Sequence, residues 1–159
     1  MEFVTNSPEE TMTLGQEIGR LLGPGEVVAL FGSLGSGKTT LVKGIALAQG
    51  VDPKVVRSAS FVLMQEYQGK LPIYHFDAYR LEDPRDMFGL GCDEIFWGEG
   101  ISIVEWADKV EKTLPEEYIK ISLFIEAPNK RRIEISYQGE RYKRIVQGLM
   151  ARGQGLVAG

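Results

Sequence analysis

The sequence predicts a single α/β domain with a central, mostly parallel sheet, flanking helices and β-hairpins at its margins. Three observations lead there. Val27 to Phe31 is a continuous apolar run followed by a glycine loop and then by good helix formers from 38 to 49. Such a run is expected of a central strand covered on both faces. Ile101 to Glu105 repeats that character further along, and alternating stretches around 68–70 and 128–130 supply the hairpins. A chain of 159 residues fits one domain, assigned to residues 1–152, with 153–159 (GQGLVAG) as a flexible tail.

The elements follow in order. Residues 2–5 form a short strand, and Ser7-Pro8-Glu9-Glu10 is a capping box with proline at the first helical position. Leu14, Ile18, Leu21 and Leu22 then recur at helical spacing until Gly23-Pro24-Gly25 ends the helix. After the strand at 27–31 and the loop at 32–37, the next helix stops at Gly50. Two strand-like stretches, 60–67 and 71–81, flank Gln68-Gly69-Lys70 as a hairpin. Short helices occupy 82–97, started by Asp83-Pro84 and interrupted by Gly89 and Gly91. The strand at 101–105 leads into a predicted helix at 107–114, stopped by Pro115. A second hairpin joins 118–126 to 132–137 around Pro128-Asn129-Lys130. Tyr142, Ile145, Val146 and Leu149 make the stripe of a last helix packed on the domain.

Composition narrows the function classes. Hydrophobic residues at 43% and charged residues at 25% are globular values. No apolar run approaches the ~18 residues that span a bilayer, and the N-terminus lacks a secretory pattern, so a cytoplasmic protein is expected. The single cysteine, Cys92, permits no internal disulfide, and Cys and His are too few for a zinc site. A net charge of -4 argues against an autonomous nucleic-acid binder. The charge is uneven, because Arg141, Lys143, Arg144 and Arg152 make the last 19 residues basic and a +4 surface is expected there.

The chemistry is concentrated in Gly32-Ser33-Leu34-Gly35-Ser36-Gly37-Lys38-Thr39, which satisfies G-x-x-x-x-G-K-[ST]. Glycines let successive backbone N–H groups face phosphate oxygens, and the following helix adds its positive end. Lys38 supplies a charge for the β- and γ-phosphates, and Thr39 a magnesium-ligating hydroxyl. Such a loop needs an acid at the end of a neighbouring strand, and both Asp77 and Glu105 are candidates. His75, the sole histidine, sits inside an apolar strand and is expected to be a hydrogen-bonded core residue. Trp106 could stack on a nucleotide or a partner, and Ser58 or Ser60 could reach the γ-phosphate or its metal.

With these residues in place the chain resembles the bacterial tRNA threonylcarbamoyladenosine biosynthesis protein TsaE (YjeE) family over nearly its whole length. The resemblance rests on Glu10-Thr11 and Leu14-Gly15, the loop GSLGSGKTT, the SASF segment, HFDAYRL at 75–81, GLGCDEIF and VEWAD at 104–108. It implies a small P-loop ATPase using ATP and Mg2+, working with the proteins TsaD and TsaB to form threonylcarbamoyladenosine 37 in tRNA, and touching tRNA only indirectly. Membrane and DNA are not implied partners. It further implies that residues 33–40, Thr40 included, bind the nucleotide, with Lys38 on the phosphates and Thr39 and Glu105 on magnesium. Asp77 and Trp106 would belong to the ATPase centre, Ser60 to a switch, and Thr11 and Arg132 to the border of the adenine. The chain departs from the family pattern at Ser58-Ala59-Ser60-Phe61, where S-P-T-F is usual, and at Ser33, where aspartate is usual. A small-molecule or nucleotide kinase is the alternative that the same loop permits. A GTPase would carry N-K-x-D, whereas Asn129-Lys130 is followed by Arg131-Arg132.

Overall fold

A computed structural model describes residues 1–57 and 63–152, the last of these by its backbone. Seven strands form one sheet: β1 (Glu2–Thr5), β2 (Val27–Phe31), β3 (Met64–Tyr67), β4 (Ile73–Asp77), β5 (Ile101–Glu105), β6 (Tyr118–Ile125) and β7 (Arg131–Gln138). Their spatial order is β1-β7-β6-β2-β5-β4-β3. The four central strands β6, β2, β5 and β4 are mutually parallel; β3 on one margin and β7 on the other run antiparallel to them, and the outermost β1, antiparallel to β7, returns to the direction of the central strands. Both predicted hairpins are present, as β3-β4 and β6-β7. The part of the predicted stretch 60–67 that precedes Leu63 lies outside the described residues.

The helices are α1 (Pro8–Leu21), α2 (Lys38–Ala48), α3 (Asp86–Gly89), α4 (Cys92–Phe96) and α5 (Lys143–Arg152). Alternation along β2 explains the two-sided core. Val28 and Leu30 face Leu14, Ile18, Leu41, Ile45, Ile145 and Leu149 from α1, α2 and α5. Val27 and Ala29 face Phe76, Met87, Cys92, Phe96 and Val110 on the other side. Ser7 caps α1 by accepting from the Glu10 N–H at 3.1 Å, while the Glu10 carboxylate accepts from the Asn6 N–H, one residue before the cap. Helices α1 and α2 meet at glycines: a Cβ on Gly44 would lie 2.1 Å from the Met12 carbonyl oxygen, and one on Gly15 2.4 Å from that of Leu41.

Two expectations need correction. Residues 107–114 form two 3-10 turns, Ala107–Lys109 and Glu111–Thr113, in place of an α-helix. The buried residues there are Ala107, Val110 and Thr113, a spacing of three that suits three residues per turn, and the Thr113 hydroxyl closes the second turn on the Val110 carbonyl at 2.7 Å. The basic C-terminal surface is also less charged than composition implies. Glu26 is buried, and Arg144 donates to its carboxylate through both terminal nitrogens at 2.8 and 2.7 Å, with Arg141 at 3.4 Å. These two arginines are counter-ions of an interior carboxylate, a pairing that sequence separation hid. The stripe itself packs as expected, with Tyr142, Ile145 and Leu149 buried and Val146 half-buried. The side chain of Arg152 and the tail 153–159 lie outside the described residues. Among the described residues, no helix is long and apolar enough to cross a membrane.

Candidate functional site

The glycine loop joins the C-terminal end of β2 to the first turn of α2. Gly37 forms the helix cap at φ 104°, a left-handed backbone that side chains disfavour, and no side chain caps the helix start. The first N–H groups of α2 therefore face outward with the positive end of the helix behind them. Lys38 folds back over its own loop: Nζ donates to the carbonyls of Gly32 at 2.6 Å and Ser33 at 2.9 Å and lies 3.9 Å from the Trp106 ring centroid. Burial pushes the Lys38 ammonium below its ordinary pKa, while Glu105, Asp77 and Asp108 oppose that shift. The loop thus holds a partly desolvated cation, which a phosphate oxygen could take over from the carbonyls.

Parallel register brings the two candidate acids together. Asp77 ends β4, Glu105 ends β5, and the two are direct register partners, both buried. Thr39 Oγ1 lies 3.2 and 3.4 Å from the two Glu105 oxygens, and Asp77 Oδ1 accepts from the Tyr79 N–H at 3.0 Å. A cleft of about 270 Å³ is lined by Leu34 to Thr40 together with Asp77, Glu105 and Trp106, so most of the predicted site residues share one cavity. Its donors are hydroxyl and carboxylate oxygens, the chemistry that Mg2+ selects. Among the described residues no cluster of three or more His, Cys, Asp or Glu could hold a metal by protein alone.

Trp106 adopts φ 58° and ψ 41°, the single left-handed non-glycine backbone among the described residues. The turn immediately after Glu105 is strained, and it aims the indole between Lys38 and the Tyr79 ring, whose centroid is 4.8 Å away. Neither the strain nor the buried hydrogen bond from His75 to Glu105 was visible in the sequence.

The residues expected to border a base divide. Thr11 lines a small recess of about 90 Å³ beside Gly37 and Thr40. Arg132 is directed elsewhere, with its guanidinium paired to Glu126 and Glu134 and 4.2 Å from the Phe124 ring. Its neighbour Arg131 lines the recess instead, donating to the carbonyls of Ser36 and Gly35 at 3.1 Å each and to Ala127, Pro128 and Lys130. Strand periodicity puts adjacent arginines on opposite faces, and only the tertiary arrangement says which face meets the loop. Ser60 lies outside the described residues. A wider cleft, about 560 Å³ between Trp97, Pro115 and Tyr142, contains none of the expected site residues.

A mixed sheet, parallel in its centre and flanked by helices, carries the G-x-x-x-x-G-K-[ST] loop after β2 and acids at the ends of β4 and β5, an α/β domain with its candidate site at the strand ends. The chain belongs to the TsaE family: the profile described as "Threonylcarbamoyl adenosine biosynthesis protein TsaE" matches residues 5–133. It is 40% identical over 136 residues to the tRNA threonylcarbamoyladenosine biosynthesis protein TsaE of Treponema pallidum, covering 86% of this chain and 100% of that one. The Bacillus subtilis protein of the same name is 38% identical over 150 residues, covering 94% and 93% respectively. The crystal structure of Bacillus subtilis YdiB superimposes with a TM-score of 0.82 at 34% identity, over 97% of this chain and 96% of that one.

Proposed function

We propose that this chain is a Mg2+-dependent ATPase supporting tRNA threonylcarbamoyladenosine (t6A37) formation together with TsaD and TsaB. The pathway follows from family membership and from the names its relatives carry. The ATPase reading rests on one observation, the convergence of Lys38, Thr39, Asp77 and Glu105 on a single cleft at the loop.

Lys38 and the N–H groups at the start of α2 neutralise phosphate oxygens. Thr39 and Glu105 would hold Mg2+, which would offset the negative charge that develops on the phosphates. Asp77 orients the attacking water, and Trp106 walls the cleft against solvent beside the ammonium. The decisive experiment measures ATP hydrolysis by the chain alone, with TsaD and TsaB, and then with tRNA added. Lys38→Ala should lower turnover by about 100-fold or more, and Glu105→Ala should weaken Mg2+ dependence more than Asp77→Ala. Wild-type turnover in Lys38→Ala would refute the assignment, and γ-phosphate transfer to a small acceptor would favour a kinase.

A further inference from the structure

We propose that His75 is a positioning residue that fixes the orientation of the Glu105 carboxylate beside Thr39, with Tyr67 bracing the imidazole from behind. The inference rests on the Mg2+ reading of Glu105 given above. Side chains from three neighbouring strands stand in line: Tyr67 on β3, His75 on β4 and Glu105 on β5, leading to Thr39 on α2. The Tyr67 hydroxyl lies 2.9 Å from His75 Nδ1, and His75 Nε2 lies 2.5 Å from Glu105 Oε2. All three side chains are buried, at 6%, 1% and 2% exposure, so each contact is made without competition from bulk water.

The asymmetry of the contacts carries the argument. The Thr39 hydroxyl lies almost equally far from both Glu105 oxygens and by itself selects no orientation of the carboxylate. His75 binds Oε2 alone, so its Nε2–H sets the rotation of the group and leaves Oε1 outside that bond, 3.2 Å from the threonine hydroxyl. A histidine serving only the core would be satisfied by any fixed acceptor; here the acceptor is the acid of the phosphate cleft. Carboxylates that ligate metals are commonly oriented this way, and loss of the outer partner costs roughly 10–100-fold in metal affinity.

Because His75 is the sole histidine, its ring can be observed directly in the full-length chain. A 1H–15N correlation spectrum of the nucleotide-free protein should show an Nε2-bound proton protected from exchange, which shifts in Glu105→Gln. A fluorescent ATP analogue, titrated with and without Mg2+, gives the second readout as the ratio of the two affinities. In His75→Phe the Mg2+ needed for half-maximal binding should rise by about tenfold or more. His75→Gln, whose side-chain amide can donate from the position of Nε2, should restore most of that loss, and Tyr67→Phe should give a smaller rise. If His75→Phe fails to fold, the imidazole spectrum and Tyr67→Phe decide the matter. An imidazole signal indifferent to Glu105→Gln, or a Mg2+ requirement unchanged in Tyr67→Phe and in folded His75→Phe, overturns the inference. Wild-type binding that ignores Mg2+ would overturn the proposed function and this inference with it. Mg2+-dependent wild-type binding beside an indifferent folded His75→Phe would overturn the inference alone.

Discussion

Tyr67 shows how much one buried hydroxyl can contribute to pH dependence. Burial pushes its pKa up to about 12 from 10.0. Below pH 10 both folded and unfolded chains keep the phenolic proton; between 10 and 12 the unfolded chain loses it first, so stability falls as pH rises through that window. A shift of this size corresponds to about 3 kcal/mol, and the Cys92 thiol, pushed up by burial to about 11, acts with the same sign from lower pH. Denaturant unfolding measured across pH 9 to 12 should show the decline, and Tyr67→Phe should reduce its slope by about one proton. The tyrosine itself was plain in the sequence as a strand residue. Its role was not, because contact with His75 depends on β3 pairing antiparallel to β4, and with it the link to Glu105.

The glycine contact between α1 and α2 sets how closely the phosphate-loop helix can seat on the domain. A methyl group at Gly44 would meet backbone of the facing helix, which cannot move aside as a side-chain end can. Gly44→Ala should therefore destabilise by about 3 kcal/mol, seen as a melting temperature lower by about 6–12 °C. Arg131 works at the same level by tying the β6-β7 hairpin to the loop carbonyls of Gly35 and Ser36. Arg131→Ala should weaken nucleotide binding about tenfold with little change in melting temperature, since its loss frees the loop and leaves the core intact. Arg132→Ala, which removes contacts with the surface acids Glu126 and Glu134 and with the Phe124 ring, should change nucleotide affinity less than twofold. Equal effects of the two substitutions in a fluorescent-nucleotide titration would remove Arg131 from the site. In place of the helix expected at 107–114, whose apolar residues are ambiguously spaced, packing after the strained turn at Trp106 selected 3-10 geometry.

Across the whole molecule, the interior carboxylate of Glu26 joins α5 to the start of the central strand, and Tyr142 adds a bond by accepting from the Val27 N–H at 2.7 Å. Removing a partner from a buried carboxylate is costly because the charge stays behind. Arg144→Ala should thus destabilise the fold by about 3 kcal/mol, measured by denaturant unfolding, with Arg141 offsetting part of the loss. A stability unchanged in Arg144→Ala would show that Arg141 and the Gly23 N–H suffice for Glu26.

By itself the sequence determined the strand, loop and helix unit, the central strands and both hairpins, and it marked Lys38, Thr39, Asp77 and Glu105 as the candidates that share one cleft. Each of these is written locally, in apolar runs, turn residues and a motif of contiguous positions. Tertiary structure alone decided that Asp77 and Glu105 are neighbours, that Arg131 rather than Arg132 holds the loop, that His75 reaches Glu105 and that two C-terminal arginines neutralise Glu26. The physical reason is common to all four. They depend on strand register and on which face of an element meets another, and those are set by non-local burial between residues 28 to 118 positions apart.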